Sequence, residues 1–225
     1  MKQIVYNDSQ KELMTTLILH SNDNPNAIGL LTGQTGIVLT IANYARQYDS
    51  PMLEDVADFL MSNVTDKISK FTECGFSTGL CGIGWGIEYL IQRGIMDGNT
   101  NELLGEIDNR IMQLNLRYID DVSLNTGILG IWHYVWARIQ GNLLNGNTLP
   151  FTDSYLVELR ELMEECPMNF PEGAEHRLIN ALNGVLVKDE LRVSEFIREI
   201  TLPTTKLGLS GGIAGYIMQN YISNP

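Results

Sequence analysis

The chain has 225 residues, 44% of them hydrophobic, enough apolar material for a sizeable core. Fifteen Lys and Arg stand against 27 Asp and Glu, a formal net charge of −12. That balance excludes a binder of phosphate backbones, which needs clustered cations; it suits a solvated acidic surface or a cationic partner.

Met1 to Asp8 holds no long apolar run with a small-residue cleavage site. No uncharged apolar stretch reaches the ~20 residues of a membrane span. A cytoplasmic location is expected. Cys74, Cys81 and Cys166 are odd in number and lack a scaffold spacing, so they read as reduced thiols.

Residues 9–20 carry Leu13, Leu17 and Ile18 at helical spacing amid polar neighbours, which predicts an amphipathic helix. After a loop, Gly29-Leu30-Leu31-Thr32-Gly33-Gln34-Thr35-Gly36 opens a helix of another kind. Its residues Ile37, Val38, Leu39, Ile41, Ala42, Tyr44 and Ala45 leave little polar surface, as in a buried helix. Ser50 and Pro51 start the next amphipathic helix, with Leu53, Val56, Phe59, Leu60 and Val64 as its stripe. Gly75 to Gly82 then opens an apolar helix through Ile83, Trp85, Ile87, Tyr89 and Leu90, closed by Gly94. Thr100 is placed to cap the following helix, whose face is Leu103, Leu104, Ile107, Ile111 and Leu114. Ser123 to Gly130 opens Ile131, Trp132, Val135, Trp136 and Ile139, ending at Gly141. Residues 153–166 form an amphipathic helix, 178–186 an apolar one and 189–200 a further outer helix. Gly208 to Gly215 opens a last apolar helix ending near Tyr221.

The four openings share the frame G-x-x-T-G-x-x-G, with Ser123 and Gly211 as the departures. The second glycine falls at Gly33, Gly79, Gly127 and Gly212, at intervals of 46, 48 and 85 residues. The last interval is nearly double, so a degenerate copy is expected at Gly173, with His176 in place of its third glycine. Five units of a helix pair follow. No segment alternates as a strand. Amphipathic helices that cover and apolar helices that are enclosed fit two concentric layers. The expected fold is all-α, an α/α toroid or an open part of one, with residues 1–225 as a single domain.

Each frame starts a helix. Gly33, Gly36, Gly79, Gly82, Gly127, Gly130, Gly212 and Gly215 read as structural glycines that let neighbouring inner helices approach. Thr32, Thr78 and Thr126 read as N-caps. A rim of helix N-termini offers donors to an anionic or peptide group. On that rim the ligand-binding candidates are Thr32, Thr78, Trp85, Thr126, His133, Glu175 and His176. Trp85 and His133 share an offset from their frames and are expected at one level. No phosphate loop is present. A Cys81, His133, His176 set is the only zinc combination in view, and Cys81 reads better as a core residue. No catalytic residue, metal ligand or cofactor is assigned.

The Gly29–Gly36 frame and its copies make the chain resemble the lanthionine synthetase C-like (LanC-like) family, along essentially its whole length. That resemblance implies an α/α barrel that holds one zinc through two Cys and one His, and joins a peptide cysteine to a dehydrated Ser or Thr. The family has seven helix pairs; five are expected here. Its Cys-His-Gly motif would fall just before the second frame glycine, where this chain has Ser77-Thr78, Asn125-Thr126, Leu31-Thr32 and Ser210-Gly211. The resemblance therefore implies a bacterial peptide-maturation protein that binds a peptide or is a degenerate cyclase. The alternatives are a non-catalytic helical-repeat module binding a protein, or associating with itself through open toroid edges, and a small α/α-toroid carbohydrate enzyme using Glu88, Glu172 or Glu175.

Overall fold

A computed structural model describes residues 8–165, 174–185, 190–198, 200, 202, 204–223 and 225. Among these the secondary structure is helical: α1 (Asp8–His20), α2 (Gln34–Tyr48), α3 (Pro51–Asp66), α4 (Leu80–Gln92), α5 (Thr100–Met112), α6 (Ile128–Leu144), α7 (Asp153–Glu165), α8 (Ala174–Leu182) and α9 (Ile213–Tyr221). The chain divides into two units, one built from Met1–Thr72 and Arg192–Pro225, the other from Glu73–Leu191. In the first, α2 packs on α3 and α9, and α9 on α1. In the second, α4 packs on α5 and α6, α6 on α8, and α8 on α7.

The alternation of helix types holds from α2 to α6; α8, expected to be apolar, is amphipathic and leaves Ile179 exposed. Every residue of α2 from Gln34 to Ala45 is buried, as is every residue of α4 from Leu80 to Leu90. By contrast α3 buries Leu53, Ala57, Leu60, Met61 and Val64, and α5 buries Leu104, Ile107, Asp108 and Ile111. Register rather than residue type chooses those faces. Phe59 is 66% exposed because Leu60 holds the inward position and the next residue of a helix points about 100° away. Leu103 stands in the same relation to Leu104 and is likewise exposed.

Three expectations need correction. Residues 190–198 hold no α-helix; a 3₁₀ turn at Val193–Phe196 buries Val193 and Phe196 instead. Leu191, Val193 and Phe196 are spaced by two and three, which one short turn satisfies and a long helical stripe does not. Asn99, not Thr100, caps α5, its side chain accepting from Asn101 N at 3.0 Å. Thr32, Thr78 and Thr126 cap nothing. The N-caps are Gly33, Gly79, Gly127 and Gly212, without a side-chain cap. The degenerate copy at Gly173, like Glu172, Cys166 and Leu186, lies outside the described residues.

A backbone carbonyl does the capping. Gln34 N donates to Ala27 O at 2.7 Å, Leu80 N to Glu73 O at 2.8 Å, and Ile128 N and Ile213 N to Asp121 O and Lys206 O, both at 2.9 Å. In all four the acceptor precedes the donor by seven residues. The loop must therefore fold back onto the helix start, and the second glycine leaves room for it. A Cβ on Gly79 would strike Glu73 O and lie 2.8 Å from Gly75 N; one on Gly127 would strike Asp121 O. These glycines have extended, negative φ, so close approach alone requires them.

Two substitutions separate this role from a general effect of glycine. Gly79→Val should cost more than about 2 kcal/mol, because backbone and not a yielding side chain is in the way. Gly105, inside α5 with nothing within 4 Å of an added Cβ, should gain about 0.5–1 kcal/mol as Gly105→Ala. Urea-denaturation midpoints check both, and equal midpoints would contradict the assignment.

Candidate functional site

The frames join in pairs through the same atoms. In the second unit, Phe76 N and Ser77 N donate to Asn125 O at 2.8 and 3.0 Å. An added Cβ on Gly75 would lie 2.9 Å from Asn125 O, and one on Gly130 2.6 Å from Phe76 Cβ. In the first unit, Ser210 N donates to Leu31 O at 2.8 Å. A Cβ on Gly208 would lie 2.6 Å from Leu31 O, and one on Gly36 2.8 Å from Leu209 Cγ. Counted from the second glycine, these are corresponding positions. The first glycine of one frame rests on its neighbour's loop, and the apolar residue after it rests on the neighbour's third glycine. Gly215 faces the Ile200 side chain, and Gly82 is buried within α4.

Thr32, Thr78 and Thr126 are all exposed beside these joints. Thr126 has a local duty. Its hydroxyl donates to Asp121 Oδ2 at 2.5 Å, while Ser123 N and Ser123 Oγ donate to Asp121 at 2.8 and 3.1 Å. Those bonds, the one from Thr126 first, hold the Asp121 carboxyl below its ordinary range. They also account for Ser123 where the frame has glycine. In the last frame Gly211 replaces the threonine and takes φ +74°, a left-handed conformation that favours glycine. The donors expected at the rim are largely engaged: the first helical amides go to loop carbonyls, and Thr35 N, Cys81 N and Ala214 N donate to Ile28 O, Cys74 O and Leu207 O. The helix starts are thus closed by the chain itself rather than open to an anion.

Trp85 and His133 share the Phe76 ring as a neighbour. The Phe76 ring lies 6.0 Å from Trp85, edge to face, and 5.7 Å from His133. Trp85 also stacks on Tyr89 at 5.5 Å. On its other side His133 joins Leu129, Trp132, Trp136 and Arg177 in lining a narrow slot, with the Arg177 guanidinium 5.2 Å from the Trp136 ring. Burial, and secondarily the Arg177 charge, lower His133 to about 4. Glu175 and His176 fall in α8, but their side chains lie outside the described residues. Among the described residues no group of three or more His, Cys, Asp or Glu is placed to hold a metal ion. Cys81 is buried, and burial, with Cys74 nearby, raises its thiol well above the ordinary range.

The sequence reading missed one constellation. Arg138, fully buried in α6, donates from Nη1 to Glu88 Oε1 at 2.8 Å and from Nη2 to Asp108 Oδ2 at 2.6 Å and Asn101 Oδ1 at 3.0 Å. Arg138 Nε and the Tyr134 hydroxyl reach Asp108 Oδ1 at 3.0 and 2.6 Å. Glu88 receives further bonds from Gln92 and Thr100. Burial would lower Arg138, but the bonds and charge of Asp108 hold it raised; burial raises Glu88 against the pull of Arg138. The signal was available as three charged residues on otherwise buried helix faces. Glu88 is therefore no rim carboxylate: it is 0% exposed and engaged with Arg138, which removes it as an acid or base for a carbohydrate enzyme.

Comparison with family models, curated proteins and solved structures found no match. No described helix is long and apolar enough to cross a membrane.

Two measurements follow. His133 takes up its proton in the unfolded chain near 6.5 but in the folded protein only near 4. Stability is therefore lost as pH falls from about 6.5 towards 4, by up to about 3 kcal/mol. Denaturation of the protein and of His133→Gln at pH 6.5 and 5 should show the larger loss in the parent. Arg138→Met strands two buried carboxylates and should cost about 3–5 kcal/mol, while adding Glu88→Gln and Asp108→Asn should recover a large part of it; chemical denaturation distinguishes the two.

Proposed function

We propose that the protein is a LanC-like peptide-binding protein of α/α-toroid form, associated with maturation of a ribosomally made peptide, and that it works without the zinc chemistry of that family. The observation that carries this reading is the repeated joint between frames. The second frame seats on the third as the last seats on the first, with the −2 amide donating to the −2 carbonyl in each case. The same joint, used in the same direction in each unit, supports a repeat built on a single frame-to-frame contact.

In three of the four described frames the residue before the second glycine occupies an exposed position. Thr32, Thr78 and Thr126 stand there, where the family places His. A hydroxyl can bond a peptide but cannot act as the soft ligand that prepares a thiolate-activating zinc. Holding a peptide is the part of the family's work that these residues support. The helical-repeat interaction module keeps one supporting observation: Met52 and Phe59, 70% and 66% exposed, lie seven residues apart on the solvent side of α3.

The test uses a peptide carrying one cysteine and one dehydrobutyrine. Fluorescence anisotropy should show binding, weakened by Thr78→Glu with Thr126→Glu, and mass spectrometry after alkylation should show the thiol still free. A thioether product together with stoichiometric zinc would overturn the non-zinc reading. Absence of binding to any such peptide would overturn the peptide-binding one.

A further inference from the structure

A cleft of about 340 Å³ opens in the second unit where α4 and α6 end and α5 begins. Its polar lining is Gln92, Asn99, Thr100, Asn145 and Asn147, and no ionisable side chain faces it. Thr100 is 7% exposed. The site lies at the opposite end of the inner helices from the glycine frames and stands independently of the peptide-binding reading.

The lining groups are fixed from behind through their donors. Gln92 Nε2 donates to Ala137 O at 2.9 Å and to Glu88 Oε2 at 3.4 Å. Asn145 Nδ2 donates to Gly141 O at 2.9 Å, and the Thr100 hydroxyl bonds Glu88. Asn99 Nδ2 donates to Glu102 Oε1 at 3.0 Å. Among the described residues, Gln92 Oε1 and Asn145 Oδ1 have no protein partner, and the Thr100 oxygen keeps a free lone pair. At the start of α5, Asn101 N, Glu102 N and Leu103 N all bond Asn99. Three oxygens, those of Gln92, Asn145 and Thr100, are left open to a donor on a ligand.

The electrostatics favour a cation. The helices α4 and α6 bring two C-terminal ends, which carry partial negative charge, against the one N-terminal end of α5. Behind Gln92 and Thr100 lie two carboxylates, Glu88 and Asp108, against the single guanidinium of Arg138. Ile91 and Leu144 give the cleft apolar walls suited to a short methylene chain. We propose that this cleft binds a small aliphatic amine, its ammonium held by the oxygens of Gln92, Thr100 and Asn145 and its chain lying along Ile91 and Leu144.

Three four-carbon probes separate charge from shape: 1,4-diaminobutane, 1,4-butanediol and succinate. Titration followed by ¹⁵N–¹H NMR should show the diamine binding, with shifts confined to residues 91–100 and 144–147. The diol should bind at least about tenfold more weakly, the difference made by hydrogen bonds to a charged donor, and succinate not at all. Asn145→Leu should weaken the diamine about fivefold or more, and Asn145→Asp should strengthen it. Asn145 is exposed, and circular dichroism checks the fold of both variants. Shifts spread over other acidic surfaces, equal binding of the diol or succinate, or an unchanged affinity in Asn145→Leu would each overturn the proposal.

Discussion

The hydrogen bond from the first amide of each helix that a glycine frame opens to a carbonyl seven residues earlier is the constraint on which the rest depends. An enclosed helix start cannot leave its amides to water, and no frame supplies a side-chain cap. The chain closes the gap with its own backbone. To do so it must double back within van der Waals reach of the N-cap residue, and only glycine leaves that space. The folded-back loop then exposes a carbonyl two residues before the glycine, and in both observed joints that carbonyl receives the neighbouring frame. Capping, loop shape and frame pairing are one arrangement.

A second constraint works inside the Glu73–Leu191 unit. Arg138, Glu88 and Asp108 come from three helices and complete one another's hydrogen bonds. A slip of any of these helices by one residue would leave a buried charge unpaired, which costs several kcal/mol, whereas a slipped apolar contact is readily replaced. The network therefore fixes register where Leu, Ile and Val contacts alone would tolerate shifts. Gly141 belongs to it: a Cβ there would lie 2.8 Å from Glu88 Oε1.

The two ends of α4 and α6 thus differ in chemistry. At the N-terminal ends donors are consumed by loop carbonyls, and what faces outward is a set of threonine hydroxyls. At the C-terminal ends of α4 and α6 the Gln92 and Asn145 amides bond the Ala137 and Gly141 carbonyls, and their oxygens are left open. Each end takes its character from which half of its polar groups the protein itself uses.

Much of this was legible in the residues. The helical class, the alternation from α2 to α6 and the places where α2, α4, α6 and α9 start all follow from periodicity and from glycine spacing, which are local properties of the chain. The sequence also determined that Thr, and not His, precedes the second glycine. It could not show that Thr32, Thr78 and Thr126 leave the capping to a carbonyl, because that carbonyl is seven residues away and reaches the helix only once the loop has folded. Nor could it show that Glu88, Asp108 and Arg138 meet, or that Phe59 and Leu103 face outward. Those outcomes turn on rotation and register between helices far apart in sequence, and only tertiary packing sets them.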